Sequence, residues 1–108
     1  MNRDDELFKR FAPIEGHPNY GVNANGEVIN FVTGKLLIPN ESDRGYLKIK
    51  LDGEKYYIHR LVADAFVPNP YDKRNVIHKN RDKSDNFFTN LGWATNSEVQ
   101  TQDKIGAK

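Results

Sequence analysis

The amino-acid sequence predicts an α+β fold in which antiparallel β hairpins are followed by a short helix and then by a C-terminal ββα unit. Three features carry that expectation. Tyr46-Leu47-Lys48-Ile49-Lys50-Leu51 alternates strictly, which puts Leu47, Ile49 and Leu51 on one strand face and Tyr46, Lys48 and Lys50 on the other. From His59 to Phe66, the residues Leu61, Val62, Ala65 and Phe66 recur on a helical stripe, and Pro68-Asn69-Pro70 stops it. Further on, two short apolar runs flank a polar loop. The second run leads into Thr95-Asn96-Ser97-Glu98, a capping box that opens a helix.

Residues 1–17 read as an N-terminal segment, with Asp4 to Phe11 patterned as a short helix carrying Leu7, Phe8 and Phe11 on one side. A single domain is expected over 18–108. Its hairpins fill 18–58: Asn25-Gly26 and Thr33-Gly34 are turns that cut Gly21 to Pro39 into short strands. Asp52-Gly53 is a strong hairpin signal, and Lys55-Tyr56-Tyr57-Ile58 returns beside the first strand, adding Lys55 and Tyr57 to one face. Helix and turn occupy 59–70, with Arg60 and Asp64 spaced as an i,i+4 pair. The ββα unit spans 75–105. In it, Asn75-Val76-Ile77 leads to His78 at a strand end, the loop runs from Lys79 to Asn86, and Leu91 to Ala94 form the second strand. Trp93 and the Phe87-Phe88 pair are expected as core anchors, since aromatic burial dominates small cores. His17, in a Gly-His-Pro turn, is expected to be exposed, and His59 to be packed or hydrogen-bonded.

With 108 residues there is enough apolar content for one modest core. Cysteine is absent, so disulfides and thiolate zinc sites are excluded. The charged start Met1-Asn2-Arg3-Asp4-Asp5-Glu6 lacks the apolar core of a signal peptide, and no run approaches the roughly 20 apolar residues of a membrane span. No membrane partner is therefore expected, and the expected setting is cytoplasmic. A net charge of +1 gives little bulk attraction to nucleic acid, so the distribution of charge matters more. Lysines and arginines gather between Arg44 and Lys83. A β-ribbon bearing Lys48, Lys50, Lys55, Tyr46 and Tyr57 could lie along a DNA groove, and the alternative is a solvated sheet face.

Several segments resemble the HNH endonuclease family, in its phage homing-endonuclease-like subgroup. Tyr20-Gly21-Val22-Asn23-Ala24-Asn25-Gly26-Glu27-Val28, with the later Gly34-Lys35 and Leu37-Ile38-Pro39, is similar to the upstream hairpin module of that subgroup. Gly45-Tyr46-Leu47 and His59-Arg60-Leu61-Val62-Ala63-Asp64-Ala65-Phe66-Val67-Pro68-Asn69-Pro70 are similar to its strand and its helix and turn. Asp82-Lys83-Ser84-Asp85-Asn86 and Asn90-Leu91-Gly92-Trp93-Ala94-Thr95 match its loop and second strand. The resemblance covers most of Pro18 to Gln100. It implies an HNH-like ββα unit in which His78 is the general base and Asn90 braces the loop. The family's cation ligands are the residue before the base and a residue nine positions after the middle asparagine; here these are Ile77 and Val99. The loop also carries Arg81 where the family usually has Gly.

Hydrolysis of a phosphodiester needs a base to activate water and a cation to stabilise developing charge. Aliphatic side chains offer no lone pair to Mg²⁺, so no metal position is assigned. Gln100 is one residue off register, about 100° around a helix from Val99, while Asn80, Asp82, Asn96 and Asp103 lie near in sequence. No cofactor is expected, with Mg²⁺ or Mn²⁺ serving if hydrolysis persists. The first expectation for function is a DNA-binding protein of this fold, impaired in or stripped of metal-dependent hydrolysis, with double-stranded DNA as partner. Its nucleic-acid-binding residues would be Tyr46, Lys48, Lys50, Lys55, Tyr57, Lys79, Arg81 and Lys83. The alternative is a non-enzymatic inhibitor or regulator that binds a protein partner, such as a host nucleic-acid enzyme in a phage setting. A third is a structural subunit of a larger nuclease. The chain ends soon after the expected last helix, so any DNA contact is expected from this domain alone or with a partner.

Overall fold

Tight turns and short strands order the first half of the chain. The computed structural model describes residues 10–42 and 44–99. Strands β1 (Ala12–Ile14), β2 (His17–Val22), β3 (Val28–Asn30) and β4 (Lys35–Leu36) form an antiparallel sheet in chain order. Strands β5 (Asn40–Glu41), β6 (Leu47–Leu51) and β7 (Glu54–Tyr57) form a second. Helix α1 (Ile58–Phe66) follows, and β8 (Asn75–His78) then pairs antiparallel with β9 (Leu91–Ala94). Helical backbone resumes at 96–99. This is the α+β architecture expected. The expected N-terminal helix falls on residues outside the described ones, apart from Arg10 and Phe11, which are in no regular element. Among the described residues no helix is long and apolar enough to cross a membrane.

Local chemistry explains each turn. Asn23 is fully enclosed, and its Oδ1 accepts from the amides of Asn25 and Glu27 while its Nδ2 donates to Glu27, so its side chain holds the β2–β3 turn. Gly26 in that turn has φ +85°, and a Cβ there would lie 3.0 Å from Asn86 Cβ and 3.3 Å from Ile58 Cγ2. The turn must therefore be bare where it meets the helix and the ββα loop. Asp52 and Gly53 both have positive φ, 50° and 88°, the two-residue geometry that suits a right-twisted hairpin. The box at the last helix forms: Glu98 N–H donates to Thr95 Oγ1 (3.2 Å) and Thr95 N–H to Glu98 Oε1 (3.0 Å).

Helix α1 is the hub. It buries Ile58, Leu61, Val62 and Ala63 against Val22 and Val28 of the first sheet, Ile49 and Leu51 of the second, and Leu91 of β9. Trp93 packs on this cluster and donates Nε1–H to Val67 O (2.9 Å), which ties β9 to the turn after the helix. Phe88 N–H donates to Ala24 O (2.9 Å), joining the ββα unit to the first sheet. Arg60 and Asp64 approach to 3.9 Å, the i,i+4 pair expected, on an exposed face where it contributes little.

Two findings depart from expectation at the N-terminal side. Regular structure starts at β1, before residue 18, because Glu15 and Gly16 turn the chain so that Ile14 pairs with His17. His17 is not an exposed turn residue: it is 8% exposed. Its Nδ1 lies 2.7 Å from Asp52 Oδ2 and its Nε2 2.6 Å from Tyr56 Oη, and Tyr56 donates onward to Glu54. The first residue of β2 is thus bolted to the β6–β7 hairpin, a contact 35 residues away in sequence. Replacing this ring strands two polar partners at a sheet junction, so His17→Ala should cost about 2 kcal/mol. Urea denaturation of the two proteins measures it, and a loss under about 0.5 kcal/mol would mean the bolt is ornamental.

Candidate functional site

β6 and β7 build one wall of the site. Their register sets Lys48 opposite Tyr57 and Lys50 opposite Lys55, so these four side chains share a face, as the alternation required. Leu47, Ile49 and Leu51 face the core, the last two buried. Lys48 Nζ lies 5.8 Å from the Tyr57 ring centroid. Tyr46, just before β6, packs edge-on against Tyr57 at 5.7 Å.

α1 and β8 supply two histidines behind these rings. His59 stands 5.2 Å from Tyr46, 5.3 Å from Tyr57 and 5.0 Å from His78, and His78 lies 5.9 Å from Tyr46. His59 is packed as expected, but its buried Nδ1 has no hydrogen-bond partner among the described residues. Burial first, then His78 and Arg60, pull its pKa down from 6.5 to about 4. At neutral pH it is an uncharged ring in an aromatic box. The box could not be read from sequence, because its members come from three elements; a His at the start of a helix following a Tyr-Tyr strand was the available signal.

His78 ends β8 as expected, yet it is not on the surface: it is 5% exposed. Its Nε2–H donates to Asn86 Oδ1 (2.8 Å), another enclosed side chain. Asn90 sits across the loop. It accepts from Asn80 N–H (3.1 Å), its Nδ2 donates to Asn80 Oδ1 (2.9 Å) and Asp85 O (2.8 Å), and its own carbonyl accepts from Lys79 N–H (2.7 Å). One amide thereby closes both ends of the loop.

Strand alternation separates the two aliphatic positions. Val76 and His78 share a face with Trp93 and Leu91, whereas Ile77 pairs with Gly92 on the opposite face, beside Lys79. Val99 instead lines an open cleft with Val76, Tyr46 and His59. An Ile77–Val99 plug is therefore not what fills this site. Neither side chain carries an oxygen or nitrogen, and among the described residues no group of three His, Asp, Glu or Cys could hold a metal ion. Nearby polar residues are committed locally: Asn80 to Asn90, Asp85 and the Asp82 amide, Asp82 to Ser84, and Asn96 to Asn75. Gln100 and Asp103 lie outside the described residues. The residues at the family's ligand positions do not fit a divalent cation.

Comparison with known proteins agrees with this geometry. The HNH endonuclease family model matches residues 56–101. An uncharacterized HNH endonuclease of Acanthamoeba polyphaga mimivirus is 43% identical over 91% of this chain and 26% of its own length. DNA endonuclease I-HmuI of Bacillus phage SP01 is 38% identical over 82% of this chain and 52% of its own. The solved structure of the HNH homing endonuclease I-HmuI superposes with a TM-score of 0.79 at 30% identity, covering 91% of this chain and 59% of that one. The chain belongs to the HNH endonuclease family. It spans between about a quarter and about half of the length of these curated relatives.

Family membership makes Arg81 conspicuous. It stands at φ +64°, a left-handed conformation that favours glycine, the residue the family resemblance sets there. With Lys83 it lines a shallow hollow that also holds Glu41, Asp82 and Ser84, against Gly45 and Leu47 at the start of β6. Lys83 Nζ donates to Arg44 O (2.9 Å) and lies 4.8 Å from the Tyr46 ring centroid, so the loop's charges continue the ribbon's. Lys79 belongs to the Ile77 face instead. Arg81→Gly should raise stability by about 1 kcal/mol, read by thermal melting. A destabilised glycine variant would show that the side chain is a structural strut.

His59 provides a pH test. Its folded-state pKa is depressed, so as pH falls from about 6.5 the unfolded chain takes up a proton that the folded chain refuses until about 4. Stability is complete above the unfolded value and declines through that window, by about 1–2 kcal/mol after solvent screening of this half-buried ring. His59→Phe, which keeps the ring without the titration, should flatten the decline in urea midpoints between pH 7 and 4. An unchanged slope would mean another group governs it.

Proposed function

We propose that this chain binds double-stranded DNA through the β6–β7 ribbon and the adjoining loop, and that its metal-dependent phosphodiester hydrolysis is impaired or lost. The observation that carries this is the mismatch between Ile77 and Val99 and the cation their positions imply, next to a base only 5% exposed. The binding half rests on Lys48, Lys50, Lys55, Tyr46 and Tyr57, with Arg81 and Lys83 continuing the surface. It is supported by the likeness to I-HmuI, which binds and cleaves DNA. Lys79 stands apart from the ribbon and enters this reading only as a phosphate contact from the other face of β8. With both ligand positions aliphatic, a water molecule near His78 has no electrophilic partner for the phosphate it must attack.

A protein-binding inhibitor or regulator is the second reading. It is favoured by an apolar tip on the β3–β4 hairpin, where Phe31, Val32, Leu36 and Ile38 are 44%, 75%, 52% and 87% exposed. Folded protein that binds no duplex would shift the weight there.

Plasmid nicking in Mg²⁺ and in Mn²⁺, against EDTA and His78→Ala controls, tests the first reading. The expected result is no nicking above the EDTA background, together with duplex binding that weakens steeply with salt. Metal-dependent nicking abolished by His78→Ala would overturn the loss of hydrolysis and require substitute ligands. Ile77→Asp combined with Val99→Asn should restore nicking if only ligands are missing. Continued inactivity would implicate the loop and the enclosure of His78 as well.

A further inference from the structure

Between the ribbon and the ββα unit the surface opens into a cleft of about 390 Å³, toward the lower end of the roughly 300–1,000 Å³ typical of ligand sites. It has room for one nucleotide and not for a helix. Its lining includes the rings of Tyr46, Tyr56, Tyr57 and His59, the polar side chains of Lys55, Arg60 and Asn75, and the apolar Val76 and Val99. Paired bases inside a duplex offer edges to a protein, whereas ring-faced walls suit a base whose face is free. Lys50 and Lys55 stand directly opposite one another on β6 and β7, a like-charge pair that costs stability until an anion lies between them. The Tyr57 ring, 42% exposed, adjoins that pair through Lys48. A phosphate on the lysines and a base against Tyr57 would satisfy both features at once.

We propose that this cleft is a stacking site for one unpaired nucleotide of a DNA strand whose duplex portion runs along the β6–β7 ribbon. The inference rests on the DNA-binding reading above and names its preferred substrate: duplex interrupted by an unpaired base. His59, uncharged and packed against Tyr57, stiffens the platform without adding charge.

Fluorescence anisotropy with three labelled DNAs of one sequence tests it: a perfect duplex, the same duplex with a one-nucleotide bulge, and that bulge with an abasic nucleotide. The bulge should bind about 5- to 100-fold tighter than the duplex, the range of a single stacked base, and the abasic bulge should lose that gain. Tyr57→Ala should lower bulge affinity far more than duplex affinity, bringing their ratio to about 1, while Tyr57→Phe preserves the ratio. Equal affinity for bulge and abasic bulge would mean only backbone flexibility is sensed, and would overturn the assignment without needing any variant. Duplex binding with no preference would also overturn it and leave the DNA-binding reading intact. Absence of binding to all three DNAs would fell both.

Discussion

A nine-residue helix and three sheets of two to four strands must stabilise one another, because none of them is stable alone. A helix of that length falls below the roughly 12–15 residues that hold together in water, and a two-stranded hairpin is marginal. The side chains that make mutual burial possible are Leu51 of β6, Ile58 and Val62 of α1, and Leu91 of β9, each essentially sealed from solvent. Everything functional is hung on this junction. Tyr57 is the residue before α1, His59 its second residue, Tyr46 directly precedes β6 and His78 ends β8, both strands being packed against the helix. The ring box is therefore as rigid as the core behind it, and a core-loosening substitution such as one at Val62 would disturb the site from a distance.

The sequence was most legible where a signal is local. Alternation over Leu47–Leu51, the Asp52-Gly53 turn, the Pro-stopped helix and the Thr95–Glu98 box each depend on residues within one turn or one hairpin, and each is found in the structure. Asn90 as the loop brace also needs only a ten-residue span. Long-range pairings were not legible. His17 looked like a turn residue because its partners, Asp52 and Tyr56, lie 35 and 39 positions away. The His59–His78 contact likewise brings together a helix start and a strand end, and no periodicity encodes that meeting. Whether Ile77 and Val99 meet was equally beyond the motif, and strand alternation points Ile77 to the other face. The role of Arg81 sits between these cases: its sequence position showed a charge where glycine is usual, but only the backbone, at φ +64°, shows that the charge is kept against a conformational cost.

In the proposed reading, absence of cation ligands at positions 77 and 99 and enclosure of His78 are physically consistent with each other. A general base that serves a metal-bound phosphate must be reached by water, and leaving it half-solvated costs packing. With Ile77 and Val99 offering no oxygen, the proposed reading requires no such opening, and His78 can be covered by Tyr46 and held by Asn86 as an ordinary buried polar residue. The buried His78 and the half-buried His59 are then tolerated side by side because the first is anchored and the second stays uncharged at neutral pH.

With a net charge of only +1, attraction to DNA cannot come from the protein as a whole. At physiological salt the Debye length is about 8 Å, so a phosphate feels only charges near it. That condition favours close clusters over totals. Lys50 and Lys55 face each other across one ladder, and Lys48 and Lys83 each lean on a tyrosine of the same box. Glu41 and Asp82 line the hollow beside Arg81 and Lys83 and partly offset them, so in this reading the paired lysines of the ribbon matter most. Affinity built that way depends on geometry: shifting β7 by one residue would send Lys55 and Tyr57 to the opposite side of the sheet and dissolve the cluster without changing the net charge. The turn at Asp52-Gly53 and the His17 bolt that together fix this register thus govern binding, although neither touches the DNA in this reading.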